Sequence, residues 1–173
     1  FALFSRAVLE GAKAIGFKPD VIHIHDWQTG LIAAHLKRQY KDDAHFAGAS
    51  CVFTIHNMAY QGNFPRAALE AAGFGSEDWS SEGLEYYGQV SYLKGGIVHA
   101  DKVSTVSPTY AREIQESPDR GFGLEGLLRR RSSDLRGILN GIDLEVWDPA
   151  RDASLARRYA PADAAAGKAA CKE

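Results

Sequence analysis

Two rhythms of apolar and polar positions alternate along this 173-residue chain. The opening residues follow the helical one. Phe1, Phe4, Val8, Ala12 and Ile15 recur at three- and four-residue steps, and Gly16-Phe17-Lys18-Pro19-Asp20 then stops the helix and turns the chain. Short apolar runs follow at Val21–His25, Cys51–Ile55, Lys102–Val106 and Arg136–Leu139, each of strand length. Between them helical spacing returns. Residues 29–40 place Leu31, Ile32, His35 and Leu36 on one side. Residues 66–72 form a short helix, and Glu82–His99 a longer one with Val90, Leu93 and Ile97 on one face. Ser107-Pro108 supplies an N-cap and a first-turn proline for the next helix, and a short helix after Gly121 carries Leu127 and Leu128. After Trp147-Asp148-Pro149 the chain turns alanine-rich and loses its pattern.

Strands alternating with helices imply parallel crossovers, hence a doubly wound α/β domain or most of one. The four strand runs share a further property. VIHIHDW, CVFTIHN, KVSTVSP and RGILNGID each end in polar, chemically capable residues. Ligands of open parallel sheets bind at the carboxyl edge of the strands, so these ends predict one shared site.

Composition narrows the class of partner. Lys and Arg number 20 and Asp and Glu 22, a net charge of −2, which gives no reason to expect nucleic acid or an anionic membrane. The run Arg129-Arg130-Arg131 reads as solvated charge in the last turn of a helix. No apolar stretch reaches the roughly 20 residues that span a bilayer, and no signal peptide is visible. Cys51 reads as a buried strand thiol and Cys171 lies in the tail. Neither has zinc spacing or the look of a disulfide framework, so a cytoplasmic setting is expected. The chain starts at Phe1 inside a helical pattern and its one methionine is Met58, which suggests a piece of a longer protein.

The candidate motifs carry competing readings. His23 and His25 project to one face of a strand, as a two-histidine metal site requires, or else are a satisfied strand histidine and a polar strand end. Trp27 and Gln28 stand where a hydrolase pattern His-x-His-x-Asp-His needs its last two ligands, and no later cluster completes a coordination set. Gly121 to Gly126 fits G-x-G-x-x-G, but the dinucleotide fingerprint needs a strand directly before it, and helix end and polar loop stand there instead. His56-Asn57 closes its strand and suits hydroxyl binding or proton transfer, or is an Asx turn with a neighbouring histidine. Tyr60 and Gln61 add an aromatic ring and an amide, a combination suited to sugars. Asn140-Gly141-Ile142-Asp143 is a tight-turn signal whose place after a strand favours function.

In order and spacing, PDVIHIHDWQTGL, VFTIHNMAYQGNFP, YLKGGIVHADKVSTVSPTYAREI, GFGLEGLL and LRGILNGIDLEVWDP resemble bacterial glycogen synthase and plant starch synthase over residues 19–149. The resemblance implies a two-domain glycosyltransferase with Rossmann-like parallel sheets flanked by helices. Residues 1–150 would be an incomplete N-terminal, acceptor-side domain, and 151–173 the entry to an absent C-terminal nucleotide-binding domain. It implies glucose transfer from ADP-glucose, or UDP-glucose in some members, to the non-reducing 4-hydroxyl of an α-1,4-glucan, with retention and without metal or other cofactor. By the same resemblance His56 sits beside the donor glucose, its side chain on a hydroxyl and its carbonyl near the reacting carbon. Asp26 and Asn140 line that pocket, and Asn57, Tyr60 and Gln61 help shape it. A plant member would be plastidial.

The family's N-terminal Lys-x-Gly-Gly-Leu loop is absent. Lys94-Gly95-Gly96-Ile97 matches a later, helical family segment instead. The Arg, Lys and Glu that the second domain contributes are absent as well. A lone fragment is therefore expected to be inactive, with an exposed sheet edge where a first strand is missing. The alternatives are a non-catalytic glucan-binding module and a metal-dependent hydrolase built on His23 and His25.

Overall fold

The computed structural model describes residues 1–172. By compactness the chain divides between Leu139 and Asn140 into two units. The first unit carries the sheet. Helix α1 (Ala2–Ala14) precedes β1 (Val21–His25), which runs directly into α2 (Asp26–Thr29) and then α3 (Leu31–Arg38). Strand β2 (Ser50–Ile55) leads through β3 (Asn63–Phe64), α4 (Ala67–Ala71), β4 (Glu85–Tyr86) and β5 (Gln89–Ser91) to α5 (Tyr92–His99). Then come β6 (Lys102–Thr105), α6 (Pro108–Glu116), α7 (Pro118–Gly121), α8 (Glu125–Arg130) and β7 (Leu135–Gly137). In the second unit a 3-10 turn, Pro161–Asp163, precedes α9 (Ala164–Ala170), where Gly167 is buried close against Tyr159.

The main sheet is parallel with order β1-β2-β6-β7. Each strand is added on the same side of the last. Right-handed crossovers then put every connecting helix on one face. The buried cluster agrees: Ile24, Cys51, Phe53, Ile55, Val103 and Leu135 face it from the sheet, and Leu36, Leu93, Ile97, Ile114 and Leu128 from the helices. The opposite face presents His23, Thr54, Ser104 and Arg136. The chain thus contains one winding of the doubly wound sheet that the strand pattern suggests.

Gly96 lets helix α5 approach the sheet closely. A β-carbon there would lie 2.7 Å from the ring of the fully buried Phe53. Two glycines in a helix interior cost about 1 kcal/mol each, and close packing of Gly95 on Leu84 and of Gly96 on Phe53 offsets that.

Three readings change. The single helix over Glu82–His99 is a hairpin followed by a shorter helix. Tyr87 (φ 46°) and Gly88 (φ 78°) form its two-residue turn, both left-handed, which matches the twist of the strands. Helix α5 begins only where the Ser91 hydroxyl caps the Lys94 N–H. The last strand lies at Leu135–Gly137, one residue before the apolar run predicts. Arg131 is also no solvated charge. Its guanidinium donates to the carbonyls of Ile97 (2.6 Å), Val98 (3.0 Å) and Ala100 (2.7 Å) and pairs with Asp134 (3.2 Å). It closes the C-terminal end of α5, whose last carbonyls have no helical partner.

His35 is fully buried, stacked on Phe74 at 4.6 Å, with Nδ1 2.9 Å from Gln39 Oε1 and Nε2 without a partner. Burial pushes its pKa down to about 4.

Two stability predictions follow from these side chains. Arg131→Met leaves the α5 carbonyls unpaired and should lower unfolding free energy by about 2–3 kcal/mol in urea titration; an unchanged midpoint contradicts the clamp. The unfolded chain takes up a proton at His35 near pH 6.5 and the folded chain resists until about pH 4. Stability from this site is therefore complete above pH 6.5 and lost as pH falls toward 4, by about 3 kcal/mol. His35→Phe should flatten that part of the stability–pH curve.

Candidate functional site

The strand ends of β1 and β2 meet on one edge. Asp26 follows β1 with no intervening loop, in a left-handed conformation (φ 54°). A non-glycine residue there is uncommon and marks a position under constraint. Its Oδ1 accepts the backbone N–H of His56 at 2.8 Å, so the carboxylate after β1 fixes the first residue after β2. The Thr29 hydroxyl accepts the His25 N–H (2.7 Å) and donates to the His25 carbonyl (2.6 Å), which holds the turn before Asp26.

Beside this contact lies a row of imidazoles. His25 Nδ1 is 3.1 Å from His56 Nε2, and the His23 and His25 rings are 4.3 Å apart. His23 Nε2 is 2.6 Å from the Thr54 hydroxyl, which is 2.7 Å from that of Ser104. Burial, followed by the neighbouring His23 and His56, lowers the His25 pKa and keeps its ring neutral at neutral pH. A neutral His25 shares a single proton with His56 along their contact, which orients the His56 ring. His23 is engaged with Thr54 on the same face of the sheet. Among the described residues no three His, Cys, Asp or Glu side chains converge at ligand spacing.

The other expected residues divide. Asn57 is exposed, and its Oδ1 accepts the Ala59 N–H at 2.9 Å, an Asx turn that shapes the loop after His56. Tyr60 is 66% exposed. Gln61 is buried and serves the scaffold: its amide donates to the Phe122 carbonyl at 3.0 Å. Gly62 (φ 59°) lies against the Trp27 indole, and Trp27 packs edge-on to Phe1 at 4.8 Å. Asn140 opens the second unit and is exposed there, while Asp26 and His56 belong to the first. Within that second unit Asp143 accepts the N–H groups of Glu145 (2.9 Å) and Val146 (3.0 Å), and these two bonds hold its carboxyl below the usual range.

His25 is the residue that sequence reasoning places differently, as a metal ligand or a strand end. Only the register His25↔Thr54, two residues before His56, brings the two rings together. A shallow hollow of about 450 Å³ opens next to the loop, lined by Ala59, Gln61, Gly62, Asn63, Tyr86 and Phe122.

Comparisons with known proteins identify the family and the fold. The family model described as the starch synthase catalytic domain matches residues 1–130. Glycogen synthase of Elusimicrobium minutum is 53% identical over all 173 residues, which span 36% of that relative. Glycogen synthase 2 of Geobacter sulfurreducens is 53% identical over 172 residues, 99% of this chain and 35% of its own. The solved catalytic domain of Starch Synthase IV from Arabidopsis thaliana, bound to ADP and acarbose, is 36% identical with a TM-score of 0.78, covering 91% of this chain and 32% of that one. The chain thus spans about a third of the length of these relatives. One winding of parallel sheet with its strand-end site has the Rossmann-like fold of a glycosyltransferase domain. The chain belongs to the starch synthase catalytic domain family, as its five motifs suggest. No helix among the described residues is long and apolar enough to cross a membrane.

Gly62→Ala tests the loop. The added carbon would lie 2.3 Å from the Trp27 indole at a left-handed backbone position. The variant should lose about 2–3 kcal/mol of stability and shift tryptophan emission; native-like emission and melting would contradict the packing.

Proposed function

We propose that the protein carrying this chain transfers glucose from ADP-glucose to the non-reducing 4-hydroxyl of an α-1,4-glucan, with retention and without a metal or other cofactor. This chain supplies one wall of the site, and a cytoplasmic setting suits that role. The observation that carries the reading is the Asp26–His56 contact across two adjacent strand ends, within a chain whose relatives are glycogen synthases. A solved relative described as bound to ADP and acarbose supports both ligand classes.

The chemistry follows from position. Asp26 fixes the backbone of His56, and His25 orients its ring. The His56 imidazole then has a set direction for one hydroxyl of the donor glucose, and its carbonyl faces the anomeric carbon. Fixed dipoles stabilise the positive charge that grows there as the bond to the diphosphate breaks, with no reorganisation at the moment of reaction. Asn140 is assigned to a sugar hydroxyl, and Asn57, Tyr60 and Gln61 to shaping the loop that follows His56. A non-catalytic glucan-binding module is the second reading, favoured by the aromatic and amide side chains beside the site.

The test uses the complete reading frame that contains this chain, with glucosyl transfer from ADP-glucose to glycogen as the readout. His56→Ala should lower kcat/KM by about a hundredfold or more. Asp26→Ala should lose more than Asp26→Asn, which keeps an acceptor for the His56 N–H. Unchanged transfer in His56→Ala removes that residue from the site. Glucan binding without transfer from ADP- or UDP-glucose selects the module instead.

A further inference from the structure

Among the described residues, three non-glycine positions have left-handed backbones: Asp26, Tyr87 and Phe122. Asp26 is accounted for by the strand-end site. The other two are aromatic and solvent-facing, Tyr87 at 80% exposure and Phe122 at 43%. A bulky side chain at positive φ is an outlier. The hairpin turn at Tyr87-Gly88 needs left-handed backbone, but Asn or Gly meets that need with less strain. Phe122 stands at the C-terminal end of α7, where Gly or Asn is again the ordinary choice. At both positions the left-handed turn does not require a ring, and each ring leaves apolar surface exposed to water.

The two turns meet. Tyr86 donates its hydroxyl to the Phe122 carbonyl, and the buried Gln61 amide donates to the same carbonyl at 3.0 Å. A β-carbon on Gly123 would lie 2.7 Å from the Tyr86 hydroxyl and 3.1 Å from the Tyr87 ring, so these rings lie over the Gly123 backbone. Tyr86 and Tyr87 pack edge-to-face at 4.7 Å. Tyr86 also lines two hollows. One, of about 450 Å³, holds Phe122 and the Asn63 amide. The other, of about 360 Å³, holds Tyr87, Lys94, Glu125 and Arg130. Aromatic faces flanked by amides and charges match a chain of pyranose rings. The apolar C–H face of each sugar covers a ring, and its hydroxyls meet the polar rim.

We propose that Tyr86, Tyr87 and Phe122 form a stacking surface for consecutive glucose units of an α-glucan, extending the acceptor site away from His56. The proposal rests on the α-glucan reading above and adds residues to it. The surface holds long acceptors through rings that a single sugar at the strand ends does not reach.

The test is retardation of the protein in native gels containing glycogen, together with calorimetric titration of maltohexaose. Tyr87→Asn and Phe122→Asn keep the left-handed turns and remove the rings. The double variant should melt within a few degrees of the parent and bind maltohexaose about tenfold more weakly. Tyr87→Phe keeps the ring and should bind as the parent does; equal loss in that variant overturns stacking. Unaltered binding by the double variant overturns the surface while the α-glucan reading stands. A parent protein that neither glycogen nor maltohexaose engages overturns both.

Discussion

The handedness of parallel crossovers is the constraint on which the first unit rests. Strand order β1-β2-β6-β7 leaves every connection turning the same way, so the helices share one face and one core. The polar strand ends then fall on a single edge. Asp26 and His56 become neighbours because two consecutive strands end level, and the hydrogen bond between them records that alignment. The free face of the same sheet carries the His23–Thr54–Ser104 ladder, in which each group satisfies the next.

Function and packing divide the loop after β2 between them. His56 and Tyr60 face water, while Met58 and Gln61 point inward. The Met58 N–H bonds the Tyr110 hydroxyl at 3.0 Å and the Gln61 amide holds Phe122, so helix α6 and the turn after α7 set where the loop lies. Residues far along the chain thereby position the loop that follows β2. Arg131 plays the same part at the far end of α5, joining the helix to the turn before β7 through its fan of carbonyl contacts.

Much of this was legible in order along the chain. Three of the main-sheet strands coincide with apolar runs within a residue or two, and Ser107-Pro108 is the cap its sequence suggests, the hydroxyl accepting the Tyr110 N–H. The hairpin was not legible, because Val90, Leu93 and Ile97 keep helical spacing and are all buried, although the first lies in a strand and the other two in a helix. The Tyr-Gly turn also lacks the Asn or Asp that usually marks such a bend. Within the site, Asp26 and His56 were readable as strand ends, but the contact of His25 with His56 depends on register, which composition does not encode. Likewise nothing local separates Arg131 from Arg129 and Arg130. Only the approach of α5 turns one arginine of three into a clamp.

Gly96 has a consequence beyond the helix that contains it. The distance between α5 and the sheet is written into the chain as an absent atom, since a side chain there would enter the Phe53 ring. Apolar neighbours can exchange for one another and still leave that distance alone. The glycine acts as a gauge: it sets the thickness of the layer behind β2, and with it the height of the strand end that bears His56.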